Sequence, residues 1–145
     1  MLNFKFNPKD TQKSDPGAFT GECELWNCTY TKSRKGFPMV QYTWKYQGTL
    51  FNDYHSCCNE SRKEEEAQFL GKIFWSLNED PQQVVDEMKP ESIGELIADM
   101  CEVINTQLRF KVFINRSKRE ANSNFYDVEL QFDKGLKRVE TEKAQ

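Results

Sequence analysis

Apolar and polar residues alternate along the first third of the chain, and the phase of that alternation predicts strands. From Phe19 to about Tyr30 the run FTGECELWNCTY is rich in β-formers and has no helical spacing. The loop Lys32-Ser33-Arg34-Lys35-Gly36 breaks it, and Phe37-Pro38 starts a return. Val40, Tyr42, Trp44 and Tyr46 then alternate with Met39, Gln41, Thr43 and Lys45, the period-two pattern of a half-buried strand whose core face carries the Val40 set. Gln47-Gly48 is a turn, and Thr49 to about Cys57 is a third extended stretch.

At Asn59 the period changes. Ala67, Leu70, Ile73, Phe74 and Leu77 fall on one helical stripe with charges opposite, and Asn59 or Ser61 caps its start. Asp80-Pro81 opens a short second helix, with proline in its first turn. Ser92-Ile93-Gly94-Glu95 has capping-box spacing ahead of a stripe formed by Ile93, Leu96, Ile97, Met100, Cys101 and Ile104. Extended structure returns with Leu108, Phe110, Val112 and Ile114, then a basic tip from Asn115 to Asn124. Tyr126, Val128, Leu130 and Phe132 alternate in the last strand. Three strands, a helical insert and two strands predict an α+β chain: a five-stranded OB-fold-like antiparallel β-barrel with the insert (about 59–105) between strands three and four. On this reading 1–17, with Phe4 and Phe6 alternating, is an arm ending in the turn Asp15-Pro16-Gly17. Residues 18–132 are the domain, and 133–145 a polar, frayed tail.

Charge sharpens the picture. The chain of 145 residues carries a net −3, against a general polyanion binder. Residues 59–105 hold 12 acidic and 4 basic side chains, while the remainder is net positive. In the expected barrel the two loops flanking an oligonucleotide face are Lys32–Gly36 and Arg116–Arg119. Both are basic, and both are expected at one cleft. With 11 Phe, 5 Tyr and 3 Trp the chain is rich in rings, which either fill the core or leave a surplus for a nucleic-acid or protein interface. Lys32, Arg34, Lys35, Lys45, Arg109, Lys111, Arg116, Lys118 and Arg119 are the candidate phosphate contacts. Trp26, Tyr30, Phe51, Phe113 and Phe125, placed opposite the core set, are the candidate stacking rings.

Other chemistries have little to build on. Cys23, Cys28, His55, Cys57 and Cys58 are the available zinc ligands, but Cys23 and Cys28 differ in parity and Cys57-Cys58 are adjacent. With one histidine and no nucleophile motif or Gly-rich phosphate loop, no enzyme activity and no cofactor are expected. Five cysteines, no membrane-length apolar run and a start (MLNFKFNPKD) without an apolar signal core predict a cytoplasmic protein.

The quoted segments also carry a resemblance. Phe19-x-Gly21-Glu22, then T-K-S-x-K-G-x-P-M over Thr31 to Met39, L-R-F-K-V-F-I from Leu108, and Asn124-Phe125-Tyr126-Asp127-Val128 resemble a phage-encoded OB-fold family from replication and recombination clusters. The likeness spans roughly residues 1–132, and the tail, mixed in charge rather than acidic, departs from it. It implies sequence-independent single-stranded DNA binding in a host bacterial cell, alongside phage replication or recombination proteins and as a possible homodimer. The alternative is a phage inhibitor of a host enzyme, such as an anti-CRISPR protein acting on an RNA-guided nuclease, with the acidic insert as its working surface.

Overall fold

The computed structural model describes residues 1–5 and 15–139; Phe6 of the expected arm lies outside them. Three strands come first: β1 (Phe19–Lys32), β2 (Pro38–Tyr46) and β3 (Thr49–Ser56). Helices α1 (Glu60–Ser76), α2 (Gln82–Met88) and α3 (Ile93–Gln107) follow. The chain then returns to strands β4 (Phe110–Lys118) and β5 (Tyr126–Leu130), a 3-10 turn at Phe132–Lys134, and a short β6 (Lys137–Arg138).

The starts of α1 and α3 are set by side-chain caps. Asn59 Oδ1 accepts from the Arg62 amide at 2.8 Å, and Ser92 Oγ accepts from the Glu95 amide at 3.1 Å. The Glu95 carboxylate reaches back to the Glu91 amide at 2.9 Å, so the reciprocal half of the capping box lands one residue before the cap.

All six strands lie in one antiparallel sheet of order β3-β2-β1-β4-β5, and β6 pairs with β4. The expected closed barrel is not formed. Among the described residues β3 pairs with β2 alone and β5 with β4 alone, so the sheet is open. The reason lies in what fills its inner face. Val40, Tyr42 and Trp44 of β2 and Phe110, Val112 and Ile114 of β4 form one buried cluster with Leu70, Ile73 and Phe74 of α1 and Ile97, Met100 and Ile104 of α3. A helical layer therefore covers the surface that a barrel would turn onto its own far strands, leaving the opposite face to solvent. Of the expected frayed tail, residues 140–145 lie outside the described residues, and the described part joins the sheet. Lys137–Arg138 pair with Phe110–Lys111, and the Val139 amide donates to the Arg109 carbonyl at 2.9 Å.

β1 changes partner halfway along. Phe19–Glu24 pair with β4, Glu24–Lys32 pair with β2, and only Glu24 belongs to both ladders. Just after the handover, Leu25 faces Trp44 and Asn27 faces Thr43, so Trp26 is an extra residue in a β-bulge. Beyond it β1 has lost β4 as a neighbour, and α3 supplies a substitute. The Asn105 side chain donates to the Cys28 carbonyl at 2.7 Å and accepts from the Cys28 amide at 2.9 Å. One amide side chain thus stands in for a strand edge.

Candidate functional site

The bulge decides which side chains of β1 meet solvent. Leu25 and Cys28 point into the core, and Trp26 and Asn27 both point out, Trp26 being 46% exposed. Two cations from neighbouring strands lie against its indole: Lys45 Nζ is 4.6 Å and Arg109 Cζ 5.1 Å from the ring centroid. Arg109 also donates to Glu24 at 2.7 Å. Three candidate residues far apart in sequence are thereby brought to one spot. Lys111, opposite Glu24 in the ladder, and Phe113, opposite Glu22, share this outer face and are half-buried. Lys134 Nζ lies 5.2 Å over the Phe113 ring.

Across β2 and β3 the same face is polar and aromatic. Thr43 donates to Asn52 at 2.8 Å, and Tyr54 is exposed opposite Gln41. Tyr54, Phe37, Pro38 and Met39 line an open depression of about 410 Å³ beside the β1–β2 turn. That turn exposes Lys32, Arg34 and Lys35. It is fixed by bonds from the Ser33 amide to the Phe37 carbonyl (2.8 Å) and from the Gly36 amide to the Ser33 carbonyl (2.9 Å), with Gly36 at a φ of 84°.

Several expected placements are overturned. The two basic loops do not meet at a cleft: Lys32 pairs with Pro38 at one end of β1, whereas Arg116 pairs with Phe19 at the other. Arg116 is itself only 5% exposed. It grips Asp15 at 2.6 and 3.2 Å and the Gly17 carbonyl at 2.8 Å, and stacks 3.9 Å over Tyr126 and 4.6 Å over Phe51. This guanidinium holds the Asp15 carboxyl below its ordinary range. Phe51 sits in the core because the β2–β3 ladder sets it opposite Trp44, on the inner face. Tyr30 also turns inward, with its hydroxyl beside Gly94 of α3, because the bulge reverses the parity of everything after Asn27. For the same reason Cys23 and Cys28 share the inner face rather than opposing ones. Lys118, Arg119 and Phe125 are exposed at the β4–β5 tip, where Arg119 pairs with Asp127 at 3.0 Å.

Inside the core a polar chain ties β2 and β3 to α1. The Tyr42 hydroxyl donates to the buried Glu66 carboxylate. His55 Nδ1 lies 2.8 Å from Glu66 Oε1, and Nε2 lies 3.1 Å from Asp53 Oδ2. Burial opposes charge on His55, but hydrogen bonds to both carboxylates outweigh it and raise its pKa to about 9. Both ring nitrogens are engaged, so His55 serves as a clamped cation. Burial raises the Cys23 thiol to about 12 and Cys57 to about 11. Among the described residues no set of three or more His, Cys, Asp or Glu is arranged to hold a metal ion, and no helix is long and apolar enough to cross a membrane.

No known protein family, curated protein or solved structure matches this chain. Function therefore has to be read from the outer face itself. Two of its rings, Tyr54 and Phe37, were not singled out by composition or charge. For Tyr54 the signal was parity: once Phe51 is assigned to the core, Tyr54 must face outward, whereas Phe37 lies in the turn ahead of β2 and carries no such signal.

Proposed function

We propose that the protein binds single-stranded DNA without sequence preference, along the outer face of its sheet. Trp26 carries the reading: an exposed indole on a bulge, set between two cations. A base stacking on this ring displaces one of the cations, and the freed charge meets a flanking phosphate. From Trp26 the path crosses β2 and β3 to Tyr54, a span of about 12 Å by strand and residue spacing. It ends at the basic turn, where the depression lined by Phe37, Met39 and Tyr54 offers apolar contact to a second base.

The strand order supports the OB-fold-like reading of this surface. β3-β2-β1-β4-β5 is the neighbour order of a five-stranded Greek-key barrel lacking only its closing pair, β3 with β5. A long strand that changes partner at a bulge is how such a sheet coils. Taken with the resemblance to phage replication and recombination proteins, the proposed ligand is single-stranded DNA of the kind exposed during those processes, bound without chemical change.

The geometry also sets the salt dependence. If Lys45, Arg109 and Lys111 neutralise three phosphates, log K falls with log salt at a slope of about −2; engaging Lys32, Arg34 and Lys35 as well steepens it to about −4. Titration of a labelled oligo-dT at several salt concentrations, with duplex DNA as control, measures this. Trp26→Ala is expected to weaken binding about 5- to 100-fold, the loss of one stacked base. Full-strength binding by that variant, or no binding by the native chain at low salt, overturns the proposal.

A further inference from the structure

The core holds a pair of reactive groups that the DNA face does not use. All five cysteines of the chain are free thiols. Cys23 Sγ lies 3.9 Å from the Gly21 carbonyl, Cys57 Sγ lies 3.8 Å from the His55 carbonyl, and the exposed Cys58 sits beside Asn59. Cys28 and Cys101 differ from these. Their sulfurs meet at 3.2 Å across 73 residues of sequence, and neither side chain is more than 2% exposed.

The contact is built from both sides. Asn105 holds the amide and the carbonyl of Cys28, which fixes that stretch of β1 against α3. Cys101 lies one turn before Asn105 and shares its face of the helix, so the Cys28 thiol falls on the Cys101 sulfur. Disulfide sulfurs are about 2.05 Å apart, so the pair has only about 1.2 Å left to close. The link would anchor β1 two residues beyond Trp26, just past the bulge.

We propose that Cys28 and Cys101 are a latent disulfide, closed by hydrogen peroxide and fastening β1 to α3. One sulfur, as its thiolate, attacks the peroxide and keeps one oxygen as a sulfenic acid; the other oxygen leaves as hydroxide and takes up the proton that this thiol had lost. The second sulfur then attacks the first. The S–S bond forms, the S–O bond breaks, and the departing hydroxide leaves as water with the proton of the second thiol. Two thiols give up two electrons, and one peroxide is reduced to two waters. The bond to Cys101 and burial push the Cys28 thiol well above its ordinary range. Thiolate is therefore scarce, and the reaction is slow and selective for an oxidant small enough to enter the core.

The test treats the folded full-length chain with a few equivalents of hydrogen peroxide, quenches it, and alkylates the remaining thiols after unfolding. Peptide mapping by mass spectrometry is expected to show a pair of peptides joined through Cys28 and Cys101. Closing a loop of 73 residues should raise the urea midpoint by about 1–2 M. Cys58→Ser should leave both results unchanged. Cys101→Ala should abolish both, and so should Cys28→Ser, which keeps a side chain of similar size. Full alkylation of Cys28 and Cys101 after peroxide treatment overturns the proposal, since the two are then only packed thiols. A link through Cys57 or Cys58 instead, or a Cys28–Cys101 link that leaves the midpoint where it was, overturns it equally.

Discussion

Removing the Asn105 side chain tests the account of the bulge directly. Its amide satisfies both backbone groups of Cys28 at 2.7 and 2.9 Å, at a point where β1 has left β4 and no strand flanks it on that side. Asn105→Ala strands one donor and one acceptor in a largely buried setting. Each costs about 1–3 kcal/mol, less where water enters, so a total near 2–4 kcal/mol is expected. For a domain of this size a urea m-value of about 2 kcal/mol/M turns that into a midpoint lowered by about 1–2 M. Asn105→Asp keeps the acceptor but aims a carboxylate at the Cys28 carbonyl, so it should not recover the loss. In both variants Trp26 emission should shift under conditions where the fold persists, because the bulge that presents it is no longer tied to α3. A midpoint drop below about 0.3 M for Asn105→Ala would refute the claim that this side chain replaces a strand edge.

The polar chain in the core predicts a pH dependence. His55 has its pKa raised from 6.5 to about 9 by Asp53 and Glu66, with Tyr42 against its ring. A raised folded pKa gives stability that is complete below the unfolded value and lost as pH climbs through the folded one. On the order of 2–3 kcal/mol should therefore disappear between pH 6.5 and 9. Urea melts across that range check it, and His55→Gln should flatten the fall; an equally steep fall in that variant excludes His55 as the cause. The two arginines of the basic tip should behave oppositely in thermal melts. Arg116→Ala loses ring stacking and a two-pronged grip on Asp15 and should cost about 2–4 kcal/mol, whereas exposed Arg119→Ala should stay within about 0.5 kcal/mol.

Local pattern carried the helices and the inner face of the sheet. Asn59 and Ser92 are caps by residue type and position, and both bond as that chemistry requires. The alternations around Val40 and Phe110 named core residues correctly because both strands are regular over those stretches. Barrel closure was not legible. Alternation tells which face a residue takes but not which strand lies beyond the edge, and the competition between a closing strand and a covering helix is settled by long-range packing. Arg116 failed for a related reason: as one charge in a basic tip it reads as a solvated contact, and only its ladder position, two residues beyond Ile114, puts it on the inner face beneath Tyr126.

The errors on β1 have a single origin, and it bears on function. Counting by twos through Cys23, Leu25, Asn27 and Thr29 puts Cys28 and Tyr30 outside. One extra residue at Trp26 reverses that, bringing Cys28 and Tyr30 in and leaving Thr29 out. The break is written in the sequence itself: Leu25-Trp26-Asn27-Cys28 places a polar residue where strict alternation demands an apolar one, and an apolar one where it demands a polar one. Shifting the phase by one residue after Trp26 restores the alternation, which locates the bulge without coordinates. That same shift leaves an indole outside the ladder, on the wet face, where neighbouring strands supply Lys45 and Arg109. The residue that defeats the parity rule is therefore the one that the fold leaves exposed between two cations, and on the proposed reading it is the ring on which a base stacks.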